Sequence, residues 1–107
     1  MPANITFTAG QSPAGSDSVA MSVTNNDPQA YSIIVNYFYH DKDGNPQRPN
    51  VYNGMIAGGQ TLNFNFTVPN PPNHPYMINL QIVVFNQNVQ PPAFEQIPEG
   101  GANIPMA

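Results

Sequence analysis

The chain has 107 residues, of which only Lys42, Arg48 and six acids carry a charge, for a net charge of -4. Two basic side chains cannot neutralise a track of phosphates, so the composition argues against nucleic acid or an anionic membrane as a partner. Because the chain has no cysteine, disulfides, thiol chemistry and thiolate metal sites are excluded.

Charged residues make up 7% of the chain, whereas an ordinary soluble domain has about a quarter. Amides and hydroxyls supply the polar surface instead. Charge keeps monomers apart in solution, so a surface with little of it offers weak resistance to association. The hydrophobic fraction of 40% suits one globular domain of this length rather than a disordered chain.

The N-terminal segment has neither a basic region nor an apolar run, so we predict no signal peptide. No apolar stretch approaches the length of a membrane span, so we predict no transmembrane segment. Neither feature assigns the protein to a compartment.

Hydrophobic residues recur with a period of two, which is typical of β-strands. The clearest case is 61–68, in which the apolar side chains all fall on one face. The segments 32–40 and 76–85 are apolar on both faces over part of their length, as central strands of a sheet usually are. In chain order, the predicted strands are 4–8, 18–24, 32–40, 51–56, 61–68 and 76–85, with 94–97 as a further candidate.

Glycine, proline and asparagine cluster between these segments and mark turns. Short strands separated by such turns, with no helical pattern, predict an all-β fold: an antiparallel β-sandwich of six or seven strands. We assign 1–90 to the β-sandwich domain and 91–107 to an extended, proline-rich C-terminal arm.

The segments 23–26, 35–45 and 58–64 read VTNN, VNYFYHDKDGN and GGQTLNF. In this pattern a strand ends in an aromatic residue and Asp, turns on Gly, and a later Gly-polar pair opens the next strand. The stretch from about 19 to 66 thereby resembles small bacterial immunoglobulin-like domains of the FxLYD type. The resemblance implies that the predicted all-β fold is an antiparallel immunoglobulin-like β-sandwich, and that the chain is an accessory or interaction domain without an active site.

No constellation of nucleophile, base and metal ligands supports an enzyme, so we predict no catalytic residue and no cofactor. The segment 10–15 has the look of a nucleophile elbow, but Pro13 removes the N–H that an oxyanion hole would need. His40 and His74 are the only histidines, so a zinc site in this chain without cysteine would also require carboxylate ligands, and we favour solvated or hydrogen-bonded histidines.

Asp41, Asp43 and Asn45 place oxygen ligands on alternate residues beside Gly44, as a calcium loop does. The distal bidentate carboxylate of such loops is missing, and Lys42 lies within the segment. A hairpin turn with positive φ at Gly44 or Asn45 explains the same residues. We favour the turn and keep calcium as the alternative.

Tyr37 and Tyr39 fall on one face of the third predicted strand, and Phe38 and His40 fall on the other. One face must belong to the core, and the other then presents aromatic side chains outward to a partner. Periodicity leaves open which face is buried. We therefore place Tyr37, Phe38 and Tyr39 together in a candidate receiving face for another subunit.

Prolines at 91, 92, 98 and 105 exclude a helix after residue 90 and interrupt regular strand pairing. Apolar side chains are nevertheless spaced along this segment like the anchors of an extended arm, with Gly100 and Gly101 as a hinge. Such an arm lies either on its own sandwich or on a neighbouring subunit. The predicted anchors are Phe94, Ile97, Ile104 and Met106.

These features predict a non-enzymatic structural subunit that forms a homo-oligomer or ordered assembly, such as a filament, a shell, a virion part or an ordered inclusion. In this hypothesis the C-terminal arm contacts a neighbouring copy. The alternative is an immunoglobulin-like binding or accessory module that recognises a glycan or a protein through the loops at 41–45 and 70–76.

Overall fold

The computed structural model describes residues 2–107, which form eight β-strands and no helix. Each paired strand is antiparallel to its neighbour. The strands are β1 (Ile5–Gln11), β2 (Ser18–Asn25), β3 (Tyr31–His40), β4 (Pro46–Gln47), β5 (Asn50–Ile56), β6 (Thr61–Thr67), β7 (Tyr76–Asn86) and β8 (Ala93–Met106).

The strands form two sheets. The first has three strands in the order β1-β2-β6, paired in an unbroken register. In the second, β4 and β5 share one edge of β3, β7 pairs with its other edge, and β8 completes the sheet beside β7. The long strands β3 and β7 are therefore central, in agreement with their two-sided apolar pattern.

One hydrophobic core lies between the two sheets. Alternate residues of the strands other than β4 point into it, which is the period expected of strands with one buried face. Tyr37 of β3 stacks on Phe66 of β6 across the core, with ring centroids 4.4 Å apart. The fully buried apolar side chains come from both sheets and are Val19, Val23, Ile33, Val35, Ile56, Val68, Ile78, Leu80, Ile82, Val84 and Met106.

The all-β antiparallel fold expected from the sequence is confirmed. Every predicted strand overlaps an observed one, including the candidate at 94–97, which lies within β8. The structure adds β4, whose two exposed residues carry no hydrophobic pattern. The count is therefore eight strands rather than six or seven.

The C-terminal segment lies on the protein's own sheet. Ala93–Met106 pairs along β7 and forms one edge of the five-stranded sheet. An edge strand leaves one side of its ladder unpaired, so it tolerates proline. The pairing skips 98–101, where Gly100 and Gly101 have φ values of 80° and 78°. From Ala93 onward, the predicted arm at 91–107 is thus a strand of the same sheet that 1–90 builds.

β1 and β8 run in the same direction along one side of the molecule, in opposite sheets. Near the start of both strands, the backbone N–H of Ala3 donates to Glu95 Oε1 at 2.8 Å. Near their ends, Gln11 Nε2 donates to the carbonyl oxygen of Ala107 at 3.0 Å. These bonds join the two sheets along the side where the first and last strands meet.

A buried amide ties two turns together where β2 ends. Asn25 is fully buried, and its Nδ2 donates to the carbonyl oxygens of Gln29 at 2.7 Å and Ala57 at 3.2 Å. Its Oδ1 accepts from the backbone N–H of Asp27 at 3.0 Å. One side chain therefore holds the turn after β2 against the turn after β5.

Replacement of Gly58 by alanine is expected to destabilise the fold, because the same two turns approach closely there. An added Cβ would lie 2.1 Å from the carbonyl oxygen of Pro28, so the backbone would have to shift. Overpacking of this kind costs about 1–3 kcal/mol. Urea denaturation measures the loss, with Gly10→Ala as the matched control, since nothing lies within 4 Å of a Cβ at that site. Equal losses for the two variants would contradict the close approach.

Candidate association surface

The outer face is the side of the five-stranded sheet that points away from the core. Its residues form rows across the strands, because directly paired residues of neighbouring strands share a face. At one end of the sheet, five of the eight side chains in two adjacent rows are apolar. The first row is Met55, Ser32, Phe85 and Phe94, and the second is Asn53, Ile34, Val83 and Gln96.

The largest apolar side chains of the outer face are open to solvent. Phe94 is 69% exposed and Met55 is 54% exposed. Phe85 packs beside Phe94, with ring centroids 5.0 Å apart. At the opposite end of the same face Met77 is 53% exposed and is paired with Pro105. Contiguous exposed apolar patches, unlike single exposed residues, mark interaction sites.

Amide side chains cross the outer face between its two apolar ends. Asn50 Nδ2 donates to Asn36 Oδ1 at 2.8 Å, and Asn79 Nδ2 donates to Asn103 Oδ1 at 3.1 Å. Gln81 Nε2 donates to Asn79 Oδ1 at 3.1 Å. Because these amides bond one another, they form an ordered polar band that adds no charge to the face.

Phe38 and His40 lie on the outer face at the far end of β3. Their rings meet edge to face, with centroids 5.3 Å apart and planes at 85°. The Arg48 guanidinium carbon lies 5.6 Å from the centroid of the Phe38 ring, which is within the range of a cation–π interaction. Phe38 is therefore held in place at the margin of the face.

The structure divides the predicted receiving residues between the two faces of β3. Tyr37 and Tyr39 are each 2% exposed and belong to the core, whereas Phe38 lies on the outer face. Burial, together with the neighbouring Tyr39, raises the pKa of Tyr37 to about 12. The two tyrosines are not accessible to another molecule, which corrects that part of the expected interface.

The predicted anchors of the C-terminal segment are divided in the same way. Ile104 is 6% exposed and Met106 is 0% exposed, and both pack in the chain's own core. Ile97 pairs with the buried Ile82 and is partly buried itself. Of the four, only Phe94 points to solvent. The other three side chains already pack within the chain and are not available to a neighbouring copy.

Three side chains of the outer face were missed by sequence reasoning: the exposed Met55 and Met77 and the partly buried Phe85. For Phe85 a signal was available, because alternation places it opposite the buried face of β7. The nearest residues on the same face of the same strand are polar for both methionines, so periodicity within one strand does not indicate an apolar surface at Met55 or Met77. They become neighbours of other apolar residues only through strand pairing.

The Asp41 carboxylate, a candidate calcium ligand, is bonded within the turn after β3. Its Oδ1 accepts from the backbone N–H groups of Asp43 at 3.0 Å and Asn45 at 2.9 Å, and its Oδ2 accepts from Gln47 Nε2 at 3.1 Å. Burial alone would raise the pKa of Asp41, but these hydrogen bonds outweigh it and lower the pKa. Gly44 has a φ of 80°, as the hairpin interpretation requires.

The other candidate ligands at this turn are likewise arranged for hydrogen bonding. Asp43 Oδ2 accepts from Asn70 Nδ2 at 3.3 Å, and Asn45 takes part through its backbone N–H and carbonyl groups. Within residues 2–107, no three His, Asp or Glu side chains come together in a group able to hold a metal ion. The turn interpretation therefore accounts for the contacts of Asp41, Asp43 and Asn45.

The two loops predicted as an alternative binding site lie side by side. The backbone N–H of Lys42 donates to the carbonyl oxygen of Asn70 at 3.1 Å. In the second loop, His74 Nε2 lies 2.8 Å from Asp17 Oδ1, and the Tyr76 hydroxyl donates to the same oxygen at 2.7 Å. Burial and the bond to Asp17 raise the pKa of Tyr76. This cluster links the start of β7 to the turn before β2.

Comparison of the chain with protein-family models, with curated proteins and with solved structures found no significant match. Within residues 2–107, no helical segment meets the length and hydrophobicity that a membrane crossing demands. The geometry of the outer face is therefore the main support for a functional proposal.

Proposed function

We propose that this chain is a non-enzymatic structural subunit that associates with copies of itself into an ordered assembly such as a filament, a shell, a virion part or an ordered inclusion. The observation that carries the proposal is the outer face, where Phe94, Met55 and Met77 are exposed. No side chain in its cross-strand rows is charged. The contact surface is then the outer face, including Phe94 at one end of it, rather than a projecting arm.

A second copy suits this face because its cross-strand rows carry no charge and Arg48 lies at its margin, over Phe38. In a two-fold interface the same patch lies on both sides, so a charge near the axis would meet its own sign. The apolar rows and the amide band have no such conflict. The molecule measures 44 × 25 × 18 Å along its principal axes, so its broad faces exceed the ~800 Å² that each partner buries in a standard interface.

We also propose that the fold is an immunoglobulin-like β-sandwich. β1, β2 and β6 then correspond to strands A, B and E of that fold, and β3, β7 and β8 correspond to C, F and G. β5 then corresponds to strand C′, which lies beside strand C, because β5 pairs with β3 and not with β6. A relation to FxLYD domains is part of this proposal and is supported by the Gly44 turn after β3.

Light scattering across a concentration series tests the assembly. We expect the natural chain to exceed the 11.6 kDa of a monomer, and Phe94→Asp to weaken association at least about tenfold, because a carboxylate would be desolvated at the interface. Thr8→Asp is the matched control, since it adds the same charge to an exposed site on the other sheet. A natural chain that stays monomeric throughout the series would overturn the proposal.

A second candidate function is recognition of a glycan or a protein by the adjacent loops at 41–45 and 70–76. The contact between the loops favours it, since Asn70 bonds to both Lys42 and Asp43 and makes one continuous surface. A monomer in the scattering experiment would favour this candidate. A glycan array would then be the direct search for its ligand.

A further inference from the structure

The two sheets have four free edges, and three of these carry features that hinder the addition of another strand. A free edge presents unpaired backbone groups, so proteins block edges with proline, charge, bulges or covering segments. β8 contains two prolines and two acids, and its pairing with β7 breaks at 98–101. β1 lies beside β8, and hydrogen bonds bridge the two at both ends.

The edge formed by β5 is blocked by its own side chains. Asn50 Nδ2 donates to the carbonyl oxygen of Tyr52 at 3.1 Å, and the Tyr52 hydroxyl donates to the carbonyl oxygen of Met55 at 2.7 Å. The Tyr52 side chain lies across Gly54, where an added Cβ would be 2.8 Å from the tyrosine hydroxyl. The pairing of β5 with β3 also shifts register once.

β6 lacks proline, charge and register shifts, although the Tyr52 ring of β5 lies against its Phe64. Its seven residues, TLNFNFT, include no charge and no proline, and its register with β2 is regular throughout. In the part of the chain that the structure describes, β6 pairs with β2 alone, so its second edge is open. Uncharged, proline-free segments of this length and high β propensity tend to pair with copies of themselves.

The core side chains beside this open edge are incompletely covered. Leu62, Phe64 and Phe66 point toward the core but are only partly buried. Tyr52 of β5 covers part of Phe64, with ring centroids 5.2 Å apart. A strand added beside β6 would place its own inward side chains next to these and remove more apolar surface from water. Burial of apolar surface therefore favours strand addition at this edge.

We propose that the open edge of β6 pairs antiparallel with β6 of a second copy, joining two three-stranded sheets into one six-stranded sheet. The inference rests on the proposed self-association and gives it a second contact surface. A two-fold axis places the strand opposite its own sequence, so like charges would repel there, and β6 has none. In a register centred on Phe64, the two copies of Phe64 face each other, and Asn63 of one copy faces Asn65 of the other.

The absence of cysteine from the natural sequence makes this contact directly testable. Asn63→Cys and Asn65→Cys each introduce one thiol at an exposed site on β6. Directly paired residues of neighbouring strands lie within disulfide reach. The two variants are oxidised separately and as a mixture in which they differ in mass. Ser22→Cys is the control, because Ser22 is paired with Asn63 on the central strand of the same sheet.

We expect a disulfide-linked dimer from at least one β6 combination and none from Ser22→Cys. The mixture cross-links if the register is centred on Phe64, and a single variant cross-links with itself if the register is centred on its own site. No dimer from any β6 combination, at concentrations where the natural chain exceeds a monomer mass, overturns the edge pairing and leaves the proposed assembly standing. A monomeric natural chain without cross-linking overturns both.

Discussion

A chain that ends at Gln90 is expected to lose its cooperative fold rather than to yield a folded monomer. The deletion removes β8, and with it Ile104 and Met106 from the core. Loss of one such buried side chain costs about 2–5 kcal/mol, while a whole domain is stable by only about 5–15 kcal/mol. It also uncovers the β7 edge, with which β8 pairs from Tyr76 to Leu80 and from Ile82 to Asn86.

Circular dichroism on heating and amide dispersion in NMR spectra measure this effect. The full chain with Phe94→Asp is the control, because it changes the exposed side of the same strand and leaves the core intact. We expect the control to melt cooperatively near the natural chain and the shortened chain to show no sharp transition. A shortened chain that melts within a few degrees of the natural one would show that β8 contributes little to the fold.

Asn25→Leu is expected to cause the largest loss of stability among single substitutions outside the apolar core. The leucine would leave the carbonyl oxygen of Gln29 and the N–H of Asp27 without their partner, while the carbonyl oxygen of Ala57 keeps its bond from the N–H of Gln60. A group left unpaired away from water costs about 1–3 kcal/mol, so for these two groups we expect a loss of about 2–6 kcal/mol and a fall in Tm of at least roughly 10 °C.

Asn26→Leu is the matched control for that substitution. Asn26 is adjacent and exposed, and its amide makes one side-chain bond, to Thr6 Oγ1 at 3.1 Å. Its replacement should cost less than about 1 kcal/mol. If thermal melts show the two variants to be equally stable, the buried amide does not hold the two turns together as the contacts indicate.

The strands could be predicted from the sequence because each long one has a face that repeats with a period of two. β2 and β6 show this directly, and the turn residues between strands mark where they end. β4 could not be predicted in this way. Pro46 and Gln47 bridge to His40 and Tyr39, and two exposed residues carry no periodic pattern.

The buried side of β3 could not be predicted, because large side chains occupy both of its faces. The face with Tyr37 and Tyr39 is the buried one because residues distant in sequence contact it. Tyr37 stacks on Phe66, and the Tyr39 hydroxyl donates to the carbonyl oxygen of Pro69. These contacts depend on how β6 and the following turn are placed. The apolar rows of the outer face could not be predicted for the same reason, because they are formed by residues of different strands and depend on how those strands pair.

The C-terminal segment shows the limit of reasoning from proline. Proline lacks the N–H of a ladder, and this predicts an irregular segment only when both sides of a strand are paired. β8 has a partner on one side, β7, and interrupts its pairing at 98–101. The apolar spacing of Ile97, Ile104 and Met106 predicts a segment that packs on a surface, and in the structure these side chains pack against the chain's own core.

The shared direction of β1 and β8 determines how the molecule would bear a pulling force. Ala3, just before β1, lies beside the start of β8, and Ala107, just after β8, lies beside the end of β1. Ala3 and Ala107 are therefore at opposite ends of these two strands. Tension between the two ends therefore acts along the strands and shears the ladders that join β1 to β2 and β7 to β8. Bonds loaded in shear share the force, whereas a peeled hairpin breaks them one after another. A row of such domains joined end to end would resist stretching.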